Sequence, residues 1–442
     1  MRSGGCRARP RRSPPTIASP SCRRWPGAEG GATVVTSSSR RALPPAGLGL
    51  VGAGLAAVAA IVIPLAVSAA DRAFAIFWLF GLAFGFALQR SRFCFASAFR
   101  DLFLLQQGRT MRAILAGMAV ATLGFGLVMS NMTPNPALGL LPPDAHVVPL
   151  GWHTVVGGVL FGLGMVLAGG CVSGALYRMG EGYVASWVAM GGILLGLWGA
   201  SRTWNWWWQA HISHQPAVWL PRYLGYGGAI ALTLAALAGL YLLALWWEAR
   251  GGIAFPAPAA AESGPSFGER LRDLQRTIFV RAWPVALAGL GLGALNVFDY
   301  AYRHPLGVTG ELARWADALA GLVGLAAGPL LGADQLSGCT LTPESGGLLT
   351  HGLMLDVGLI FGALIGALLA GEFKIRLPAD RRRYGQALGG GVLMGYGAGL
   401  AVGCTIGAFF SAIPSLALNG WVFGASLAVG AFVGVQVIKR LL

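Results

Sequence analysis

The chain has 442 residues, 55% hydrophobic and only 11% charged, with a mean hydropathy of +0.64. That is too little polar surface for a soluble globule of this size, so the composition excludes a water-soluble enzyme and indicates an integral membrane protein. The net charge of +15 does not argue for nucleic acid. Its basic residues sit mostly in the amino-terminal tail and between apolar segments, the pattern of cytoplasmic loops beside a lipid bilayer.

Residues 1–45 carry nine arginines against one acid, Glu29, among many Pro, Ser and Gly, and read as a disordered basic cytoplasmic tail. No apolar core of a signal peptide precedes Leu48, so a cleaved leader is not expected. Candidate spans come next at about 46–70, 73–90, 111–130, 154–169, 183–200, 225–247, 282–298, 316–332, 352–370, 387–402 and 420–438. Residues 46–247 form a first membrane half and 282–442 a second. Between them, 248–281 holds five arginines and the amphipathic run ERLRDLQR, and reads as a cytoplasmic linker. Residues 201–224, with TWNWWWQAHISHQP, read as an aromatic interfacial loop. Its His211 and His214 lack a nearby third ligand, so no metal or other cofactor is expected.

One stretch is written twice. Shifting the sequence by 233 positions lays Gly157–Leu176 over Gly390–Phe409 with twelve of twenty residues identical and Cys171 on Cys404. Both copies are apolar helices interrupted at a Gly-Cys step. With the tail, the Arg90–Arg112 region, the linker, the run 371–383 and Lys439-Arg440 all placed inside, the two copies run in opposite directions. Eleven full crossings do not satisfy that placement, so one segment, around 316–350, is expected to dip in and return. The fold class is therefore an all-α polytopic membrane protein, an inverted-repeat helical bundle with broken helices and re-entrant loops.

Unwound backbone inside a bilayer is tolerated where it is buried in protein or lines a watery cavity. Gly170 and Gly403 let backbone approach a small solute, and a helix beginning at Cys171 or Cys404 favours an anion at its amino end. The same glycines also suit plain helix packing. A neutral thiol is a weak donor with a polarizable sulfur, suited to a soft, sulfur-bearing anion. Neighbouring Ser173, Tyr177, Thr405 and Ser411 add polar candidates. A third constellation is Gln89-Arg90-Ser91-Arg92-Phe93-Cys94, whose arginines read as interfacial anchors and whose Cys94 reads as an inner-end contact. Glu181, Asp356 and Glu372 read as partners of arginines, and Asp356 as the carboxylate to test for proton coupling. Cys6 and Cys22 lie in the tail, and no CxxC pair occurs.

The segments QRSRFCFASAFRD, GMVLAGGCVSGALYRMGEG and GGGVLMGYGAGLAVGCTIGAFFSAIPSLALNGWVFG resemble the signature segments of the YeeE/YedE family of bacterial sulfur transporters. The resemblance covers roughly 78–200 and 352–435. It implies a bacterial inner-membrane importer of thiosulfate or a related small sulfur-containing anion, with a central hourglass pore along which Cys94, Cys171 and Cys404 hand the ion by S–H···S hydrogen bonds. It also implies selenium compounds as alternative cargo and a small soluble sulfur-carrier protein as a possible cytoplasmic partner. Cys339, in GADQLSGCTLTPE, falls outside these segments and stands as a fourth intramembrane thiol. The chain has no Walker-type nucleotide motif. A reading as a membrane thiol oxidoreductase using the same cysteines competes with transport; it predicts mixed disulfides, where transport needs free thiols.

Overall fold

A computed structural model describes residues 51–52, 54–56, 58–68, 71–251, 282–336 and 349–441. The tail, most of the linker and Cys339 lie outside them. After a π turn at Val58–Val62, the helices are α1 (Ile63–Ser68), α2 (Arg72–Ser91), α3 (Phe95–Leu104), α4 (Arg109–Met132), α5 (Trp152–Ala168), α6 (Val172–Gly180) and α7 (Val184–Ala210). Then come α8 (Pro221–Ala249), α9 (Val285–Tyr302), α10 (Thr309–Gly321), α11 (His351–Leu369), α12 (Arg382–Leu400), a π turn at Thr405–Ser411 and α13 (Leu418–Leu441). Among the described residues there is no strand, only two isolated bridges. Eight helical stretches there are long and apolar enough to cross a membrane, and α12 with its π turn, bent by 49°, makes a ninth. The chain is a multi-pass membrane protein.

The glycines set how these helices meet. Gly81 and Gly85 of α2 lie against the carbonyls of Leu355 and Leu359 of α11, and Gly289 and Gly293 of α9 against those of Ala113 and Gly117 of α4. Gly192 and Gly196 of α7 meet Leu388 and Val392 of α12, while Gly158 and Gly162 of α5 meet Phe423 and Leu427 of α13. In each pair both numbers rise together, so the partners run parallel. Without a Cβ, backbones approach closely and gain dispersion where lipid offers no hydrophobic drive. Packing therefore accounts for most of the glycine pattern.

The pair α5·α12 differs, because Gly157 faces Gly397 while Gly164 faces Gly390. The numbers run oppositely, so the two copies of the repeat are antiparallel, as the charge placement requires.

Two expectations change. The aromatic segment is not a loop: with no Gly or Pro between Ala200 and Pro216, α7 continues through Ala210. Its polar side chains then clasp irregular backbone beyond α10. Trp198 Nε1 donates to Leu325 O at 2.8 Å, Arg202 to Ala326 O at 3.2 Å and Trp204 Nε1 to Leu331 O at 3.0 Å. The expected span at 316–332 is likewise absent. The thirteen residues of α10 reach about 20 Å, short of the roughly 30 Å of a hydrocarbon core. Apart from the three-residue turn Ala333–Gln335, residues 325–336 are not helical. The expected first span, 46–70, lies partly outside the described residues; its described part holds the first π turn and α1.

Candidate functional site

Three helices of the bundle stop abruptly and restart at a cysteine. Helix α2 ends with Arg92 in the left-handed region (φ 53°) and Phe93 N–H returning to Leu88 O at 3.1 Å. Helix α5 ends at Gly169 (φ 79°), and α12 ends through Val402 (φ 57°), with Gly403 N–H donating to Ala398 O at 2.9 Å. Such caps satisfy the last carbonyls of a helix and turn the chain out of its axis. The next structured residue is extended in every case: Cys94 (φ −145°), Cys171 (φ −80°, ψ −179°) and Cys404 (φ −95°).

Each cysteine is the N-cap of the helical element after it, and its carbonyl accepts from an alanine four residues on. Ala98 N–H reaches Cys94 O at 3.1 Å, Ala175 N–H reaches Cys171 O at 2.8 Å and Ala408 N–H reaches Cys404 O at 2.8 Å. Cys94 thus opens a third copy of a Cys-x-x-x-Ala break, too short to show in the sequence repeat. After Cys404 the chain forms a seven-residue π turn in place of the expected helix.

All three thiols are reduced and buried, at 2%, 0% and 0% exposure, within one apolar cluster that includes Phe161, Met165, Met394 and Phe423. Cys94 and Cys171 converge on Gly174 of α6, where the position a Cβ would take lies 3.0 Å from Cys94 Sγ and 3.4 Å from Cys171 Sγ. Only glycine leaves the sulfurs that space. Cys171 Sγ also lies 3.4 Å from Ser173 Oγ. The Cys404 turn meets the Cys94 break through rings: Phe95 and Phe410 pack edge to face at 5.5 Å, and Phe99 and Phe409 are 5.9 Å apart. Thr405 Oγ1 is buried and without a hydrogen bond among the described residues. Gly403 approaches the ring of buried His146, and a Cβ there would lie 3.1 Å from Cε1. Gly170 sits beside Arg178, whose Nη1 would lie 3.3 Å from its Cβ.

The remaining polar candidates take other roles. Ser411 is a strut of the Cys404 turn, donating to Leu306 O at 3.0 Å and accepting from Asn296 Nδ2 at 3.1 Å. Glu372 is an arginine partner, 3.0 Å from exposed Arg92 and 3.7 Å from Arg90, and it accepts from Gln89 Nε2 at 3.3 Å. Arg92 is exposed, whereas Arg90, expected as an interfacial anchor, is 1% exposed and enclosed, donating to Gly366 O at 3.4 Å. Glu181, half-buried, has its carboxyl pushed upward by burial, opposed by Arg178 and Gln89. Asp356 departs from expectation: it is 1% exposed, and neither oxygen has a hydrogen-bond partner among the described residues. His211 lies beside Trp207 with the rings tilted by 43° and their centroids 5.8 Å apart. Neither histidine of that segment joins a cluster that could hold a metal among the described residues.

Comparison with known proteins places the chain in a family. A family model described as sulphur transport matches residues 90–433, which include all three cysteine breaks. The chain is 32% identical over 374 residues to the thiosulfate transporter TsuA of Spirochaeta thermophila, covering 82% of this chain and 98% of that one. It is 29% identical to the protein of the same name from Escherichia coli, covering 77% and 88%. It is also similar to the probable transporter YedE of Salmonella typhimurium, 34% identical over 37% of this chain and 40% of the relative. Matched over more than three-quarters of its length, and over both copies of its repeat, the chain belongs to the sulphur transport family.

Proposed function

We propose that this protein imports thiosulfate or a related small sulfur-containing anion across the bacterial inner membrane. Transport proceeds along a central cysteine-lined path, with the amino terminus in the cytoplasm. The observation that carries this reading is the convergence of Cys94 and Cys171, each at the start of a helix of nine or more residues, on Gly174. Two S–H donors meet there, each at the amino end of a helix, an environment that favours a polarizable anion. Cys404 belongs to the copy of the repeat that runs the other way, so it faces the same path from the opposite side. With the basic 371–383 run inside, Cys404 lies toward the periplasm and Cys94 and Cys171 toward the cytoplasm. The anion passes Cys404, then Cys171, then Cys94. The names of the two TsuA relatives supply the cargo, and a soluble sulfur-carrier protein would receive it at the inner mouth.

The test is thiosulfate-dependent growth and radiolabelled uptake in a strain lacking its own importer, with Cys94→Ala, Cys171→Ala and Cys404→Ala. Each variant should lose about tenfold or more of uptake while reaching the membrane. Three variants that transport like the parent would sink the relay. A parent that accumulates sulfate or selenite in preference to thiosulfate would sink the cargo.

A further inference from the structure

A dianion crossing this bundle meets a core of thiols, phenylalanines and methionines, none of which carries the opposite charge. One guanidinium stands beside the paired thiols. Arg178 lies one helical turn beyond Gly174 on α6, on the face that meets Cys94 and Cys171, and it folds back over the break. Its Nη1 donates to Gly169 O at 2.5 Å, its Nε donates to Tyr177 Oη at 3.2 Å, and its carbon stands 5.7 Å from the Tyr177 ring centroid. These bonds use two of the five N–H donors of a guanidinium, and Nη2 has no partner among the described residues.

The missing element is a carboxylate. Arg90, Arg112 and Arg314 each lie within 4.0 Å of a carboxylate, of Glu372, Glu248 and Glu311 in turn, whereas half-buried Arg376 donates to the carbonyls of Glu181 and Glu372. No carboxylate oxygen lies within 4.0 Å of Arg178 among the described residues. Glu181, three residues on, acts on Arg178 from beyond contact distance, so a half-buried guanidinium with no carboxylate in contact still gains when an anion arrives.

We propose that Arg178 is the cationic half of the inner binding position: its free N–H groups hold the oxygens of a dianionic sulfur oxyanion, while Cys94 and Cys171 face the sulfur end. The inference rests on the transport reading above, and it adds that selectivity for a dianion resides in this side chain.

The experiment is uptake kinetics in proteoliposomes with Arg178→Gln and Arg178→Lys, together with protection of Cys94 and Cys171 from N-ethylmaleimide by thiosulfate. Loss of one charge-assisted contact should raise the KM of the Gln variant about tenfold or more, with Vmax changed less than about threefold, whereas Lys, which keeps the charge, stays within about threefold of the parent KM. The concentration of thiosulfate giving half-protection, each variant scaled to its own labelling rate without thiosulfate, should shift in parallel. A Gln variant with parental KM overturns the proposal, as does equal loss in Gln and Lys variants. If the Gln variant fails to reach the membrane, the Lys variant decides alone: retained half-protection supports the charge role, and lost protection overturns it. A parent that takes up no thiosulfate refutes the transport reading, whereas a competent parent indifferent to Arg178→Gln refutes only this one.

Discussion

Gly157 lies against Gly397, and the equivalent residues of the two repeats close the same contact from the other end, Gly164 against Gly390. A Cβ on Gly157 would stand 2.8 Å from Gly397 O, and one on Gly164 would stand 2.5 Å from Gly390 O. The pair is a local two-fold relation between antiparallel copies of one sequence. It fixes Cys171 and Cys404 at opposite ends of a shared crossing. Backbone is the obstacle at both places, so it cannot rotate away as a side chain would. Gly157→Ala and Gly164→Ala should each cost about 1–3 kcal/mol of stability, seen as a lower melting temperature in detergent. The exposed glycine Gly191, which has nothing within 4 Å of its Cβ position, should accept alanine freely.

A second prediction concerns the paired thiols. Cys94 Sγ and Cys171 Sγ flank one point at 3.0 and 3.4 Å, near enough for small side-chain adjustments to bring them to bonding distance. Copper-phenanthroline, accepting two electrons as the thiols release two protons, should form a Cys94–Cys171 disulfide that blocks uptake, and dithiothreitol should restore it. Mass spectrometry of the linked peptides reads the result. If the link forms and turnover becomes quinone-dependent, the thiol oxidoreductase reading gains over transport.

The parts of this site legible in the sequence are those written locally. The Gly-Cys break appears twice with flanking identity, so Cys171 and Cys404 stand out, and the basic loops give the inversion. The third break does not stand out, since Cys94 shares with the others only its alanine four residues on. Its meeting with Cys171 depends on how α3 packs against α5 and α6, which no spacing encodes. Arg178 sits inside a recognisable segment, yet its fold back over Gly169 and Gly170, a property of the folded chain, is what distinguishes it from an anchor. The extension of α7 escaped because a run of tryptophans carries an interfacial signal as strong as its helical one.

Acidification offers a third test. His146 is fully buried beside the Cys404 break, and burial pushes its imidazole from the usual 6.5 down to about 4. The folded state therefore holds it neutral, while the unfolded chain takes up a proton below about pH 6.5. Stability from this group is full above that pH and is lost as pH falls toward 4, by on the order of 3 kcal/mol. His146→Gln should flatten this part of the profile of melting temperature against pH between 7 and 4. An unchanged slope would mean the ring is not held neutral.

The last prediction concerns two carboxyls. Asp299 on α9 and Asp356 on α11 are buried, at 0% and 1% exposure, and none of their four oxygens has a hydrogen bond among the described residues. Burying a carboxyl without a hydrogen-bond partner is costly, so neither side chain is placed there by ordinary packing. Asp299→Asn and Asp356→Asn keep the shape and remove the acid, and each should change stability by less than about 1 kcal/mol. A loss of several kcal/mol on amide substitution would show that the acid form is needed for folding. If stability holds, uptake measured with and without an imposed pH gradient isolates what the acid contributes. Glu311 on α10 is already paired with Arg314. Replacing Asp356 should therefore leave the Glu311–Arg314 pair in place, and any loss of gradient dependence is then assignable to Asp356 itself.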